Sequence, residues 1–219
     1  MKNSNKLIVG ITGGMGCGQS IFAKFLKEQG AKIISADRIA HRIVDENGEV
    51  KKEIKKAFGG NIYTRNGRLK RNYLAKIVFN DENKTHRLNQ IVHPYMVGQI
   101  IDEIETALES EKYRIVGIDA ALIFEGNLEK IFDIIVVVAS KMSDRIERIK
   151  KRDNLTRKEI LERIKKQIPI EEKVKWADFV IKNDESIDSL KNKAKILYRK
   201  LAGKRKGKSQ YQSQDKKIY

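Results

Sequence analysis

The chain has one cysteine, Cys17, and only two prolines in 219 residues. A lone cysteine excludes an intrachain disulfide and fits a reducing cytosol, so a cytoplasmic location is expected. So little proline argues against an extended linker. The length suits one medium α/β domain with room for a small insertion, large enough to bury a core without disulfides or metals. No apolar run approaches the roughly 18–20 residues that a bilayer crossing needs, so no membrane partner is expected. Met1 to Lys6 precede an apolar run too short and too glycine-broken for a secretory signal.

Positive charge is plentiful: the formal net charge is +17. Residues 203–219 hold six Lys/Arg against one Asp, and residues 141–175 hold thirteen against seven acidic residues. Such an excess suits nucleic acid, or an enzyme that holds polyanionic phosphates. No recognised nucleic-acid module is present, so nucleic acid is not the expected partner. The stretch 203–219 is poor in apolar residues and is expected to be a disordered basic tail.

Residues Gly13-Gly14-Met15-Gly16-Cys17-Gly18-Gln19-Ser20 have the spacing of a phosphate-binding loop, with glutamine in the lysine position. The loop follows the apolar run Leu7 to Ile11 and leads into an amphipathic segment from Ile21 to Gln29. That strand–loop–helix context is what such a motif requires. Glycines let successive N–H groups turn toward phosphate oxygens, and the helix N-terminus adds a favourable dipole. Ser20 stands where a hydroxyl binds magnesium. Gln19 donates a hydrogen bond but brings no charge.

Apolar runs alternate with helical patterns, which predicts a parallel sheet wrapped by helices. Strands are expected over 6–12, 31–35, 114–119, 133–139 and 179–182. Helices are expected over 20–29, 37–44, 49–58, 71–79, 83–110 and 187–201, with Pro94 interrupting or kinking the long one. Thr156 and Glu159 form a capping-box pattern at the entry to another. Residues 47–110 are far more than one crossover needs and predict an inserted helical subdomain for a second substrate.

Asp119 ends the third strand, as a magnesium-binding carboxylate does in phosphoryl-transfer sites. Asp37 follows the second strand, and ligands of open α/β sheets sit beyond the carboxyl ends of strands. It is either a base that accepts a hydroxyl proton or the N-cap of the next helix. The arginines at 145, 148 and 152 alternate with Asp144, Glu147 and Asp153, so a solvated helix face is the competing reading of that stretch.

Several stretches in order resemble dephospho-coenzyme A kinases. They are Ile8 to Gly18, Ile34 to His41, His93-Pro94, Asp119 to Glu125 and Arg152 to Leu155. Arg163-Ile164 with Gln167, and Ala177 to Asn183, continue the match, which spans about residues 7–201. The resemblance implies a P-loop kinase fold: a five-stranded parallel sheet flanked by helices, a helical substrate insertion (47–110) and a lid (141–175). The core would be 1–46, 111–140 and 176–202. It implies transfer of the γ-phosphate of ATP to the ribose 3′-hydroxyl of dephospho-coenzyme A, with Mg2+. Asp37 then matches the base, and Arg145, Arg148 and Arg152 are the candidate lid arginines that close over phosphates. Gly13, Gly14, Gly16, Cys17, Gly18, Gln19, Ser20 and Ile21 hold the nucleotide. His93, Leu122 and Glu125 face the acceptor, although His93 also reads as a structural histidine beside a kink. Ser20 and Asp119 hold the metal.

The chain departs from the family pattern at four places. Gln19 replaces lysine, Ile21 replaces a threonine near the nucleotide, Ser35 replaces the first aspartate of an Asp-x-Asp pair, and Ala121 replaces a proline. A charged donor is worth roughly 1.5–3 kcal/mol against about 1 for a neutral one. Gln19 therefore implies either slower transfer or a protein that binds nucleotide or coenzyme A without transfer; another small-molecule P-loop kinase is the remaining alternative.

Overall fold

The computed structural model describes residues 6–78, 81–203 and 217–219. Strands β1 (Leu7–Gly13), β2 (Lys32–Ser35), β3 (Ile115–Asp119), β4 (Ile134–Ala139), β5 (Phe179–Lys182) and β6 (Lys217–Ile218) form one sheet in the order β2-β3-β1-β4-β5-β6. The pairs β1–β3, β1–β4, β4–β5 and β5–β6 are parallel. β1 lies between β3 and β4, so both its faces need apolar side chains: Val9 and Ile11 are fully buried. Every β4 residue from Ile134 to Val138 is buried, as the β-branched run demands of a parallel strand covered on both sides.

The helices are α1 (Gln19–Glu28), α2 (Ala36–Glu46), α3 (Gly48–Phe58), α4 (Arg71–Val78), α5 (Glu82–Glu109), α6 (Met142–Asp153), α7 (Arg157–Lys165), α8 (Ile170–Trp176) and α9 (Ile187–Ala202). α1 buries Phe22, Phe25 and Leu26 at helical spacing and packs against α9. Thr156 and Glu159 form the capping box at the start of α7.

The chain forms two compact units. One comprises Met1–Ile34 with Ile104–Tyr219 and carries the sheet; the other is Ser35–Glu103. The second is built on buried Val50, Ile54 and Ile62, with Tyr63 donating to the Val44 carbonyl at 3.0 Å. Asp45 stitches the stretch before α4 to α2. It accepts from Leu69 N–H at 2.9 Å and pairs with Arg71 at 2.6 Å. The insertion expected over 47–110 overlaps this unit, but α2 falls within it too.

Three observations differ from the sequence expectations. α5 continues through Pro94 without interruption. Proline removes one hydrogen bond of a helix, and here that loss does not end the helix. A sixth strand joins the sheet: Lys182 N–H donates to the Tyr219 carbonyl at 2.8 Å and Tyr219 N–H to Val180 at 3.0 Å. The Tyr219 ring stacks on Phe179 with centroids 6.3 Å apart. The tail expected to be disordered over 203–219 thus ends in paired strand, while 204–216 lie outside the described residues. Finally, α8 fills a stretch for which the sequence predicted no helix.

Candidate active site

The loop leaves β1 and closes on itself through Cys17 N–H to the Gly14 carbonyl at 3.0 Å. It passes so close to β4 that a Cβ on Gly13 would lie 2.6 Å from the Val138 carbonyl oxygen. Gly18 sits before the first turn of α1 in the left-handed region, with φ 86°, which glycine adopts without steric cost. Its carbonyl accepts from Phe22 N–H at 3.0 Å and so opens the helix. Cys17 is buried, and burial pushes its thiol pKa up against the opposing pull of Arg145 and of the N–H groups of Gly14 and Ser140. Ser20 and Ile21 are exposed in the first turn of α1.

Gln19 turns inward. It is 8 % exposed, and its Nε2 donates to Asp119 Oδ1 at 2.6 Å and to the Ile11 carbonyl at 3.1 Å. Ile11 and Asp119 face each other in the β1–β3 register, so the glutamine amide ties the two strand ends together. Lys24, one turn beyond Ser20, is exposed on the outer face of α1.

The wall beside the loop comes from α6 and from residues near β5. Arg145 is 3 % exposed and donates from Nε to the Met15 carbonyl at 2.9 Å; a Cβ on Gly14 would lie 2.7 Å from its Nη2. Arg148 donates to Ser140 Oγ at 3.0 Å, to the Asn183 carbonyl at 2.9 Å and to the Gly16 carbonyl at 3.5 Å. Asn183 in turn donates to the Cys17 carbonyl at 2.9 Å. Met15 packs with Ile146, Ile149 and Ile160, joining the loop to the core of α6 and α7. Of the three arginines expected over phosphates, Arg145 and Arg148 lie against the loop. Arg152 is mostly exposed and forks onto Asp153 at 2.7 and 2.9 Å.

Sequence reasoning missed Lys173. This α8 lysine is fully buried, with Nζ 2.7 Å from Glu125 Oε1, 3.0 Å from the Ala121 carbonyl and 3.4 Å from the Gly13 carbonyl. Ala121 also accepts from Thr12 Oγ1 at 3.1 Å, and Glu125 Oε1 from Ile168 N–H at 3.1 Å. Glu125, expected to face the acceptor, is therefore paired with a cation beneath the loop. Leu122 is half exposed.

In the unit Ser35–Glu103, Ser35 is the N-cap of α2, its Oγ accepting from Arg38 N–H at 3.4 Å. The cap reading of Asp37 therefore gives way. Asp37 lies exposed in the first helical turn. His93 is half-buried on α5, next to a groove of about 430 Å³ lined by Ile43, Asn47, Pro94, Tyr95, Gly98, Gln99 and Asp102. His93 itself does not line that groove.

Among the described residues no cluster of three or more His, Cys, Asp or Glu forms a metal site. Ser20 and Asp119 supply oxygen donors of the kind magnesium takes, alongside waters and nucleotide phosphate. That donor set fits a nucleotide-borne ion and no self-sufficient protein cage.

The family model for dephospho-CoA kinase matches residues 7–189. A dephospho-CoA kinase from Listeria innocua is 36% identical over 180 residues, covering 82% of this chain and 90% of its own. One from Leptospira interrogans is 35% identical over 208 residues, covering 93% of this chain and 99% of its own. A Thermus thermophilus crystal structure superposes with TM-score 0.75 at 32% identity, covering 91% of this chain and 100% of its own. The dephospho-CoA kinase from Campylobacter jejuni gives 0.61 at 27%, covering 90% and 97%. With a model match over most of its length and relatives above one-third identity, this chain belongs to the dephospho-CoA kinase family.

Proposed function

We propose that the chain transfers the γ-phosphoryl group of ATP to the ribose 3′-hydroxyl of dephospho-coenzyme A, yielding coenzyme A and ADP. The observation that carries this reading is the glycine loop Gly13–Ser20, joined to β1 and α1 in a chain that belongs to this kinase family. Loop N–H groups and the α1 dipole hold the phosphates. Arg145, packed along the loop, supplies charge where the loop itself has none. Asp37 accepts the 3′-hydroxyl proton as its oxygen bonds to the γ-phosphorus and the β–γ bridge bond breaks. Ser20 and Asp119 hold Mg2+, which supplies neutralisation of phosphate charge. Residues 141–175 act as the lid, Leu122 and His93 border the acceptor, and the site works in the cytoplasm.

Gln19 reads as a modifier of rate. Its amide is committed to Asp119 and Ile11, so it organises the strand ends while contributing no charge. The test combines protein, ATP, Mg2+ and dephospho-coenzyme A, beside Gln19→Lys and Asp37→Asn variants, with coenzyme A measured by chromatography. The native protein is expected to turn over, Gln19→Lys to run about tenfold faster, and Asp37→Asn to lose about a hundredfold or more. Unchanged activity in Asp37→Asn removes it as the base. Product formed by Gln19→Lys alone makes the native chain a binding protein.

A further inference from the structure

A fully buried lysine is rare unless its charge is matched, and Lys173 has both a partner and two further acceptors. Glu125 Oε1 balances its charge at 2.7 Å. Its remaining contacts go to the carbonyls of Ala121 and Gly13, at 3.0 and 3.4 Å. Gly13 is the first residue of the phosphate loop, and Ala121 lies two residues beyond Asp119. One ammonium thus spans from the loop to the segment after β3, just beyond the two strand ends that Gln19 ties.

The stretch just before α8 reaches the loop as well. Gln167 Oε1 accepts from Met15 N–H at 2.9 Å, and the next N–H, that of Ile168, donates to Glu125. Glu125 Oε2 is buried and has no hydrogen-bond partner among the described residues, so this carboxylate leans on Lys173 and Ile168 alone. Buried polar networks of this kind are costly to break.

We propose that Lys173, held by Glu125, is a positioning residue for the nucleotide loop: it fixes the Gly13 and Ala121 carbonyls and so sets the direction of the loop N–H groups that receive phosphate. The lysine lies under the loop and touches no substrate. Its role is indirect, through the backbone it pins, and it rests on reading Gly13–Ser20 as an ATP site. In a chain whose loop lacks its own lysine, this pinning takes a larger share of phosphate placement.

The test uses the full chain with Lys173→Met, Lys173→Arg and the double variant Lys173→Met/Glu125→Gln. The double variant removes the stranded carboxylate charge that threatens folding of the single one. Binding of a fluorescent ATP analogue and of adenosine would be measured, then KM and kcat for ATP and dephospho-coenzyme A. Lys173→Met and the double variant are expected to bind ATP at least about tenfold more weakly. Adenosine affinity should hold in both, the KM of Lys173→Met for dephospho-coenzyme A should hold, and Lys173→Arg should recover most of the loss. ATP affinity and kcat equal to native in the folded double variant overturn the proposal. So does an equal loss for ATP and adenosine, which marks general damage. Native protein that binds no ATP instead refutes the nucleotide reading, and the proposal with it.

Discussion

Position 18 places two demands on one residue. The backbone there is left-handed, and any Cβ would run into the Asn183 amide that holds the Cys17 carbonyl. Left-handed strain on a non-glycine residue costs about 1–3 kcal/mol, and displacing Asn183 adds a broken buried hydrogen bond. Gly18→Ala is therefore expected to lower unfolding free energy by about 2 kcal/mol or more in urea titration; a loss under half that would mean the loop relaxes freely. Glycine spacing made this residue legible in the sequence, because the physical need is local. Lys173 was not legible for the opposite reason. It sits in the run Glu171-Glu172-Lys173-Val174-Lys175, which looks solvated, and its partner Glu125 is distant in sequence. One signal was present: Ile170, Lys173 and Ala177 share a helical face, and both apolar members are buried.

At the scale of elements, β1 to β5 and most helices followed hydrophobic period, since most have one face committed to a core, while α6 and α8 were not among the expected helices. Where period and local chemistry disagreed, tertiary context decided. α5 runs through Pro94, and Ser35, one residue before α2 begins, caps that helix where Asp37 had been a candidate. Asp45 shows the same dependence on distant partners. Burial alone would raise its pKa, but Leu69 N–H and Arg71 outweigh it and hold the carboxyl below its ordinary 3.8. A depressed folded pKa contributes stability in full above the unfolded value, and that contribution disappears as pH falls through the folded one. Asp45→Asn should thus lower the melting temperature at pH 7, by a stability loss of at most about 1 kcal/mol because the pair is partly exposed. The gap from native should close on acidification below 3.8. A gap that persists in acid would assign the effect to something other than the carboxylate charge.

For the molecule as a whole, family membership and a five-stranded parallel sheet followed from motifs and apolar runs spread along the chain, whereas the strand order and β6 did not. Its strand comprises two residues with no apolar period, and it pairs along the open side of β5 with Tyr219 stacked on Phe179. That pairing has a consequence for how the protein behaves in company. An unpaired β5, with Phe179, Val180 and Ile181 all buried, would offer its free N–H and C=O groups as a template for another chain. With β6 in place the border of the sheet is a strand too short to recruit a neighbour. Removing residues 217–219 should accordingly leave a folded protein that self-associates with rising concentration, seen as a growing light-scattering mass. A truncated chain that stays as dispersed as the native one would show that the border is guarded by something other than its last strand.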